Sequence, residues 1–175
     1  MIALASDHLG IGLKQEIMAL LDEMGLPYQD FGTHTNKSCD YPIYAARAAR
    51  AISAGQCERG ILICGTGVGI ALAANKMPGI RCVMCSEPYS AVLSRQHNDA
   101  NMLALGVRVV GTELAKMIAR MWLTTGYEGS ERHRRRVEQI AALERGEGIE
   151  ELRIENGEWR IENKKMAEDL CSAAT

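Results

Sequence analysis

Short apolar runs alternate with helical repeats from residue 1 to about residue 145, and this alternation limits the possible folds more than any other feature. Ile2–Ala5, Gly60–Cys64 and Met102–Leu105 are continuous apolar runs of strand length. Between such runs, apolar residues recur at helical spacing. Continuous apolar strands separated by helices are typical of a parallel sheet that helices cover on both faces. The sequence therefore predicts an α/β fold, a Rossmann-like three-layer sandwich with a five-stranded parallel sheet.

The boundaries of the predicted elements follow from turn and capping residues. Ser86 is a candidate cap for the fourth helix, with Pro88 in its first turn, and Gly25 is expected to end the first helix. The predicted strands are Ile2–Ala5, Pro27–Phe31, Gly60–Cys64, Ile80–Cys85 and Met102–Leu105. The predicted helices are Leu13–Met24, Tyr44–Ile52, Val68–Lys76, Pro88–His97, Thr112–Thr124 and Ser130–Arg145.

The sequence predicts one globular domain over residues 1–145, followed by an acidic C-terminal extension over 146–175. The extension has eight acidic and four basic residues, a net charge of −4, whereas the whole chain has a net charge of −2. Within the extension, Asn156-Gly157 favours a type I′ turn and predicts a β-hairpin. That turn would pair Leu152 with Ile161 and Ile154 with Trp159, which gives the hairpin one apolar face.

Composition excludes several classes of partner. A net charge of −2 and an aromatic content of 5% do not support binding to nucleic acid. The chain contains no run of 18 apolar residues, and Asp7 is too early for a signal peptide, so we expect a cytoplasmic protein without a membrane partner. Cys82 and Cys85 form a Cys-x-x-Cys pair within a predicted strand. Residues three apart in a strand point to opposite faces, so we expect neither a zinc nor a redox site there.

The strongest candidate for a functional site is the glycine-rich loop after the third strand, Cys64-Gly65-Thr66-Gly67-Val68-Gly69. Glycines let backbone N–H groups turn towards a ligand, and a helix begins at the end of the loop, so an anion is favoured there. The loop is equally compatible with a phosphate cradle, an oxyanion hole or a tight turn. A thiol beside a helix N-terminus is expected to have a lowered pKa and to act as a nucleophile or a general base. The alternative is that Cys64 is a buried structural residue.

Other polar residues are expected near this loop. Asp7 and His8 directly follow the first strand, and His97 and Asn98 end the helix after the fourth strand. We expect the titratable groups of Asp7, His8 and His97 to converge with Cys64 on one rim of the sheet. His34 lies in a polar loop and is assigned no role.

A run of basic residues lies further along the chain, in the last predicted helix. Arg132 and Arg136 share one face at helical spacing and could grip a phosphate. The alternative is a solvated basic face or a nucleic-acid patch, and Arg134 and Arg135 are assigned no role.

With these residues in place, the chain resembles the type B ribose-5-phosphate isomerase family, which also contains allose-6-phosphate and galactose-6-phosphate isomerases. The resemblance covers residues 1 to about 145 and is carried by several blocks in order. These blocks are Ser6–Gly10, Asp40–Pro42, Gly60–Ile70, Ala73–Lys76, Gly79–Arg81, Cys85–Ala91, Leu93–Asn101, Gly106–Gly111 and Arg132–Glu138. Ordered blocks with matching spacing are far more specific than a glycine loop alone.

The resemblance implies an enzyme that interconverts phosphorylated aldoses and ketoses of the pentose phosphate pathway or related carbohydrate metabolism, without a metal or other cofactor. It implies Cys64 as the general base that forms a cis-enediolate, with Thr66 orienting the loop or the substrate. His97 and Asp7 would open the furanose ring. The implied substrate-binding residues are His8, Tyr41, Gly65, Gly67, Val68, Gly69, Asn98, Arg108, Arg132 and Arg136. The resemblance also implies a site between two subunits of a homodimer, or of a dimer of dimers.

Two other classes of function stay open at this point. Part of a dinucleotide-binding fingerprint is matched by Gly65-x-Gly67, with Glu87 18 residues beyond Gly69. The glycine spacing and the position of the loop after the third strand argue against such a domain. A sugar-phosphate sensor without catalysis is the other. Within the isomerase interpretation we prefer ribose 5-phosphate, with allose or galactose 6-phosphate as the alternatives. The chain departs from the family in its extension beyond residue 145, which could alter substrate length or oligomeric state if it covered the cleft.

Overall fold

The computed structural model of the chain describes residues 1–149, 152–155 and 158–161. It divides into two compact units, Met1–Gly129 and Ser130–Thr175. Among the described residues, no helix has both the length and the apolar character to cross a membrane. The predicted boundary at residue 145 between an enzyme domain and an extension stays a prediction.

Five strands and five helices alternate along the first unit, as the sequence pattern predicts. The strands are β1 (Ile2–Ser6), β2 (Tyr28–Asp30), β3 (Arg59–Cys64), β4 (Cys82–Met84) and β5 (Met102–Gly106). The helices are α1 (Ile11–Glu23), α2 (Tyr41–Ser53), α3 (Val68–Ala74), α4 (Pro88–Asn98) and α5 (Thr112–Thr124).

The five strands form one parallel sheet in the order β2-β1-β3-β5-β4. In register, Ile2 of β1 lies opposite Tyr28 of β2 on one side and opposite Arg59 of β3 on the other. β2 and β3 thus lie on opposite sides of β1, so the direction in which strands are added reverses there. The gap between β1 and β3 is therefore the topological switch point of the sheet. In open α/β sheets, ligands bind outside the carboxyl ends of the strands at such a point.

The side chains of each central strand alternate between two separate core clusters, one on each face of the sheet. Ile61 and Ile63 of β3 pack in the cluster that contains residues of α1 and α5, whereas Leu62 and Cys64 pack with residues of α2 and α3. The unit therefore has helices on both faces of a buried sheet. This arrangement confirms the predicted three-layer sandwich.

The Cys-x-x-Cys pair is divided by the sheet. Cys82 belongs to the cluster with α2 and α3, and Cys85 belongs to the opposite cluster. Burial is the main cause of a raised pKa in both thiols, to about 12 for Cys82 and about 11 for Cys85. Both thiols are therefore held neutral. Their places in opposite clusters agree with the predicted opposite faces, but β4 spans Cys82–Met84 and is shorter than the predicted Ile80–Cys85.

The second unit contains α6 (Glu131–Glu144) and two short antiparallel strands, β6 (Leu152–Glu155) and β7 (Glu158–Ile161). The backbone register places Leu152 opposite Ile161 and Ile154 opposite Trp159. The residues of the expected Asn-Gly turn lie outside the described residues. The hairpin as a whole therefore stays a prediction.

Candidate active site

The turn after β1 and the loop after β3 meet at the switch point of the sheet. The N–H of Asp7 donates to the carbonyl oxygen of Ile63 at 3.2 Å. Oδ1 of Asp7 accepts from the N–H groups of Leu9 and Gly10, at 2.9 and 3.1 Å, and this closes the turn. A Cβ on Gly10 would lie 2.8 Å from Cγ2 of Ile63, so only glycine permits this approach. The buried carboxyl group of Asp7 is thereby fixed beside the end of β3.

Cys64 is the last residue of β3, and its thiol faces the start of the glycine loop. Its Sγ accepts a hydrogen bond from the N–H of Gly67 at 3.2 Å, and the residue is 4% exposed. Gly67 has φ of +80°, a conformation that favours glycine, and it turns the chain into α3. Val68 N–H in turn lies 3.4 Å from Oγ1 of Thr66. Two N–H groups of the loop are thus already used to hold the thiol and the bend in place.

The loop is also packed tightly against the end of β5. A Cβ on Gly106 would lie 2.5 Å from the carbonyl carbon of Thr66, so the two backbones are in contact. The N–H of Arg108 donates to the carbonyl oxygen of Gly65 at 3.0 Å. This places the exposed residue Arg108 at the same edge of the sheet as the glycine loop.

Tyr41 and His8 complete the group of residues at this edge. A Cβ on Gly69 would lie 2.5 Å from Cζ of Tyr41, so the phenol ring lies directly on the backbone of the loop. Nδ1 of His8 accepts from the N–H of Cys39 at 3.3 Å, and Sγ of Cys39 is 3.7 Å away. Because an amide N–H can only donate, this contact assigns the proton of a neutral His8 to Nε2. The contact of Cys39 with His8 could not be predicted from the sequence, because no local pattern links residues 31 apart.

His97 and Asn98 do not join this group within one chain. They lie at the end of α4, next to Asn101, whose carbonyl oxygen accepts from the N–H of Gly60 at the start of β3. The five intervals from Arg59 to Cys64 span roughly 16 Å. The expectation that His97 and Cys64 share one rim is therefore wrong for a single chain. Nε2 of His97 instead lies 4.0 Å from Oε2 of Glu128 at the opposite edge.

The candidate phosphate-binding arginines lie in the second unit. Arg132 and Arg136 are exposed and are one helical turn apart in the first half of α6. Nη2 of Arg132 lies 3.2 Å from Nε2 of His133. The predicted common face of the two arginines is therefore present on this helix.

A buried ion pair between α1 and the end of β2, which no sequence pattern predicted, holds the segment that leads into the active-site edge. Nζ of Lys14 lies 2.7 Å from Oδ2 of Asp30, with side-chain exposures of 3% and 13%. The same Nζ donates to the carbonyl oxygen of Thr33 at 2.7 Å. Oδ1 of Asp30 accepts from the N–H of Gly32 at 2.8 Å. The pair thus fixes the start of the segment that leads to Cys39 and Tyr41.

Comparison with known proteins identifies the class of enzyme. Residues 2–140 match the model of the family described as Ribose/Galactose Isomerase. The chain is 59% identical over 143 residues to "Ribose-5-phosphate isomerase B" of Escherichia coli strain K12, covering 82% of this chain and 95% of that protein. It is 43% identical over 129 residues to "D-erythrulose-4-phosphate isomerase" of Pectobacterium atrosepticum, covering 73% and 85%.

Solved structures show the same relationship. Ribose-5-phosphate isomerase B of Clostridium thermocellum superposes with a TM-score of 0.81 at 50% identity, covering 83% of this chain and 97% of that chain. The type B ribose 5-phosphate isomerase of Leishmania infantum has a TM-score of 0.80 at 41% identity, covering 83% and 96%. The fold and the site thus define a sugar-phosphate isomerase. The chain belongs to the ribose/galactose isomerase family.

Proposed function

We propose that this chain catalyses the aldose–ketose isomerisation of ribose 5-phosphate to ribulose 5-phosphate. The observation that carries the proposal is the position of Cys64 at the end of β3, where its sulfur accepts a hydrogen bond from the N–H of Gly67. The buried carboxylate of Asp7, followed by His8, comes directly after the neighbouring strand β1. The identity of 59% to a ribose-5-phosphate isomerase B favours the pentose phosphate over hexose phosphates. We further infer a cytoplasmic enzyme of the pentose phosphate pathway that needs no cofactor.

Cys64 is the proposed base. It takes the proton from C2 of the open-chain aldose. The electron pair of that C–H bond forms the C1–C2 double bond, and the π pair of the carbonyl group moves to O1, which gives a cis-enediolate. The proton on O2 passes to O1, the carbonyl group re-forms at C2, and return of the carbon-bound proton to C1 gives the ketose. The N–H groups of Gly65 to Gly69 stabilise the negative charge that develops on the oxygens, with Thr66 orienting the loop. Since the N–H groups of Gly67 and Val68 already donate within the loop, the remaining N–H groups of the loop carry most of this task.

Ring opening requires groups from a second copy of the chain. The furanose must be opened before C2 becomes acidic, and His97 is the proposed acid that protonates the ring oxygen, with Asn98 contacting the substrate. These two residues lie at the far edge of the sheet from Cys64, so they act in the site of a neighbouring subunit. Asp7 accepts the proton of the anomeric hydroxyl. A homodimer, or a dimer of dimers, is therefore the proposed working form.

The phosphate group is the proposed ligand of the remaining basic residues. His8 presents Nε2–H because Nδ1 is occupied by the N–H of Cys39. Arg108 lies at the same edge of the sheet, and Arg132 and Arg136 supply a cationic helix face for a dianion. Tyr41 and Val68 line the sugar-binding side of the loop, where they are partly exposed. Arg134 and Arg135 keep no assigned role.

Steady-state kinetics with a panel of substrates test this function. We expect the highest kcat/KM with ribose 5-phosphate, compared with allose 6-phosphate, galactose 6-phosphate and erythrulose 4-phosphate. Cys64→Ala is expected to abolish turnover and to keep binding of ribose 5-phosphate, measured by calorimetry. Turnover that survives in Cys64→Ala would exclude the assigned base. Tight binding by the wild-type chain with no turnover of any of these sugars would favour a sensor.

A further inference from the structure

The segment that follows His97 is held by charged hydrogen bonds that the proposed reaction does not use. Nη2 of Arg81 donates to Oδ2 of Asp99 and Nη1 of Arg95 donates to Oδ1, both at 2.9 Å. Nε of Arg81 also donates to the carbonyl oxygens of Asn98 and Asp99, at 3.1 and 3.0 Å. We call the side chains of Arg81, Arg95 and Asp99 the arginine–aspartate clamp.

Both arginines of the clamp are themselves fixed by the folded core. Arg95 is 5% exposed, and its guanidinium lies 5.7 Å from the centroid of the buried Trp122 ring. Its Nη1 also donates to the carbonyl oxygen of Ala100 at 2.6 Å. Arg81 precedes β4, and its N–H donates to Oδ1 of Asn101 at 2.8 Å. The clamp therefore ties the end of α4 to the starts of two sheet strands.

Asp99 also ends the helix in a conformation that few residues adopt. Its φ is +46°, and among the described residues it is the one non-glycine residue with a positive φ. Aspartate tolerates this left-handed region better than most residues. Positive charge near a helix C-terminus further stabilises the last turn, where His97 and Asn98 lie. Without these contacts the last turn of a helix is the part most prone to fray.

We propose that Asp99 is a positioning residue for ring opening. Through Arg81 and Arg95 it fixes His97 and Asn98 at the orientation in which they meet the sugar bound by a second copy. This inference rests on the proposed function, since it presumes that His97 protonates the ring oxygen. The proton transfer at Cys64 does not involve the clamp, so the two steps can be measured separately.

Hydrogen exchange in the ketose separates the two steps. Ribulose 5-phosphate is open-chain, because its O5 carries the phosphate and cannot close a ring on C2. In D₂O, removal of a C1 proton by Cys64 and return of a deuteron exchange this hydrogen without any ring step. Nuclear magnetic resonance of the C1 signal therefore reports the Cys64 step, while net conversion of the furanose form of the aldose to the ketose reports both steps.

Asp99→Ala is the main variant. Because displacement of a catalytic group by 1 Å can cost about 10²-fold, we expect kcat/KM for net isomerisation to fall about 10- to 100-fold. At saturating ketose, where a weakened contact of Asn98 with the substrate does not limit the rate, C1 exchange is expected to stay within about twofold of the wild-type rate, since that step needs no ring opening. Asp99→Asn keeps the left-handed backbone and an acceptor oxygen, so its loss of isomerisation is expected to be smaller.

Glu23→Gln is the matched control, because Glu23 pairs with Arg120 at 2.7 Å on the exposed surface and contacts none of the three clamp side chains by a hydrogen bond or ion pair that the structure shows. It should change neither rate. Equal loss of exchange and isomerisation in the Asp99 variants, or no loss of either, would overturn the positioning role. If Asp99→Ala fails to fold, Asp99→Asn is judged by the same ratio. A wild-type chain that neither isomerises nor exchanges would instead refute the proposed function.

Discussion

Removal of the buried lysine beneath the active-site edge should strongly destabilise the fold. Lys14→Met removes the buried ammonium group from Asp30, at a site where the two side chains are 3% and 13% exposed, and leaves only the exposed His34, 3.7 Å from Oδ2, as a basic group beside it. Breaking a buried ion pair by removing one partner costs about 3–5 kcal/mol. At ~2–4 °C per kcal/mol for a chain of this size, the Tm should fall by roughly 6–20 °C. Thermal unfolding followed by circular dichroism, at one protein concentration, measures this shift.

A double-variant cycle shows whether the pair itself is the cause. Lys14→Met with Asp30→Leu removes both charges, so its loss of unfolding free energy should be smaller than the sum of the two single losses by more than ~1 kcal/mol. Lys116→Met is the control, because Lys116 pairs with Glu16 at 3.4 Å on the surface, and its effect should be below ~1 kcal/mol. A Lys14→Met chain within ~1 kcal/mol of wild type would refute this reasoning.

Two further predictions concern the loop and the buried thiols. Gly106→Ala places a Cβ 2.5 Å from the backbone of Thr66, so kcat/KM should fall ~10²-fold. Gly111→Ala is the control: nothing lies within 4 Å of its added Cβ, so kcat/KM should not change. Unchanged kinetics in Gly106→Ala would contradict the close approach. The raised pKa values of Cys82 and Cys85, about 12 and 11, mean that above pH ~9 the unfolded state loses protons that the folded state keeps. The free energy of unfolding, measured by urea denaturation, should therefore fall from pH 9 to 11. It should fall less steeply in the double variant Cys82→Ala, Cys85→Ala, and an equal dependence on pH in both proteins would exclude this cause.

Elements with strong local signals could be predicted from the sequence. The helix Thr112–Thr124 has the expected bounds, and β3 begins one residue before the expected Gly60. The second helix begins at Tyr41, three residues before the predicted start, because Pro42 fits its first turn. The cap of α4 is Glu87, which accepts from the N–H of Ser90, and the expectation of Ser86 is wrong.

The candidate site could be predicted only in part. Asp7, Cys64 and the glycine loop come together because they lie at the ends of neighbouring strands. The runs of apolar residues in the sequence locate those strand ends well. The position of His97 was wrong because an 11-residue helix after β4 is ~16 Å long and returns the chain to the opposite edge. The Lys14–Asp30 and Arg81–Asp99 pairs join residues 16 and 18 positions apart, and no single-sequence pattern marks such contacts. The Arg95–Asp99 pair has i,i+4 spacing, but that spacing alone does not show that the two residues share a buried site with Arg81.

The central claim is that Cys64 of one chain and His97 of another form one active site. Mixing refolded Cys64→Ala and His97→Ala chains in equal amounts tests it, with each variant alone as the inactive control. Random pairing makes half of the dimers mixed, and each mixed dimer has one intact site of two, so activity should recover to about a quarter of the wild-type value. Activity that stays at the level of the separate variants, in mixtures proved to contain mixed dimers, would contradict the account.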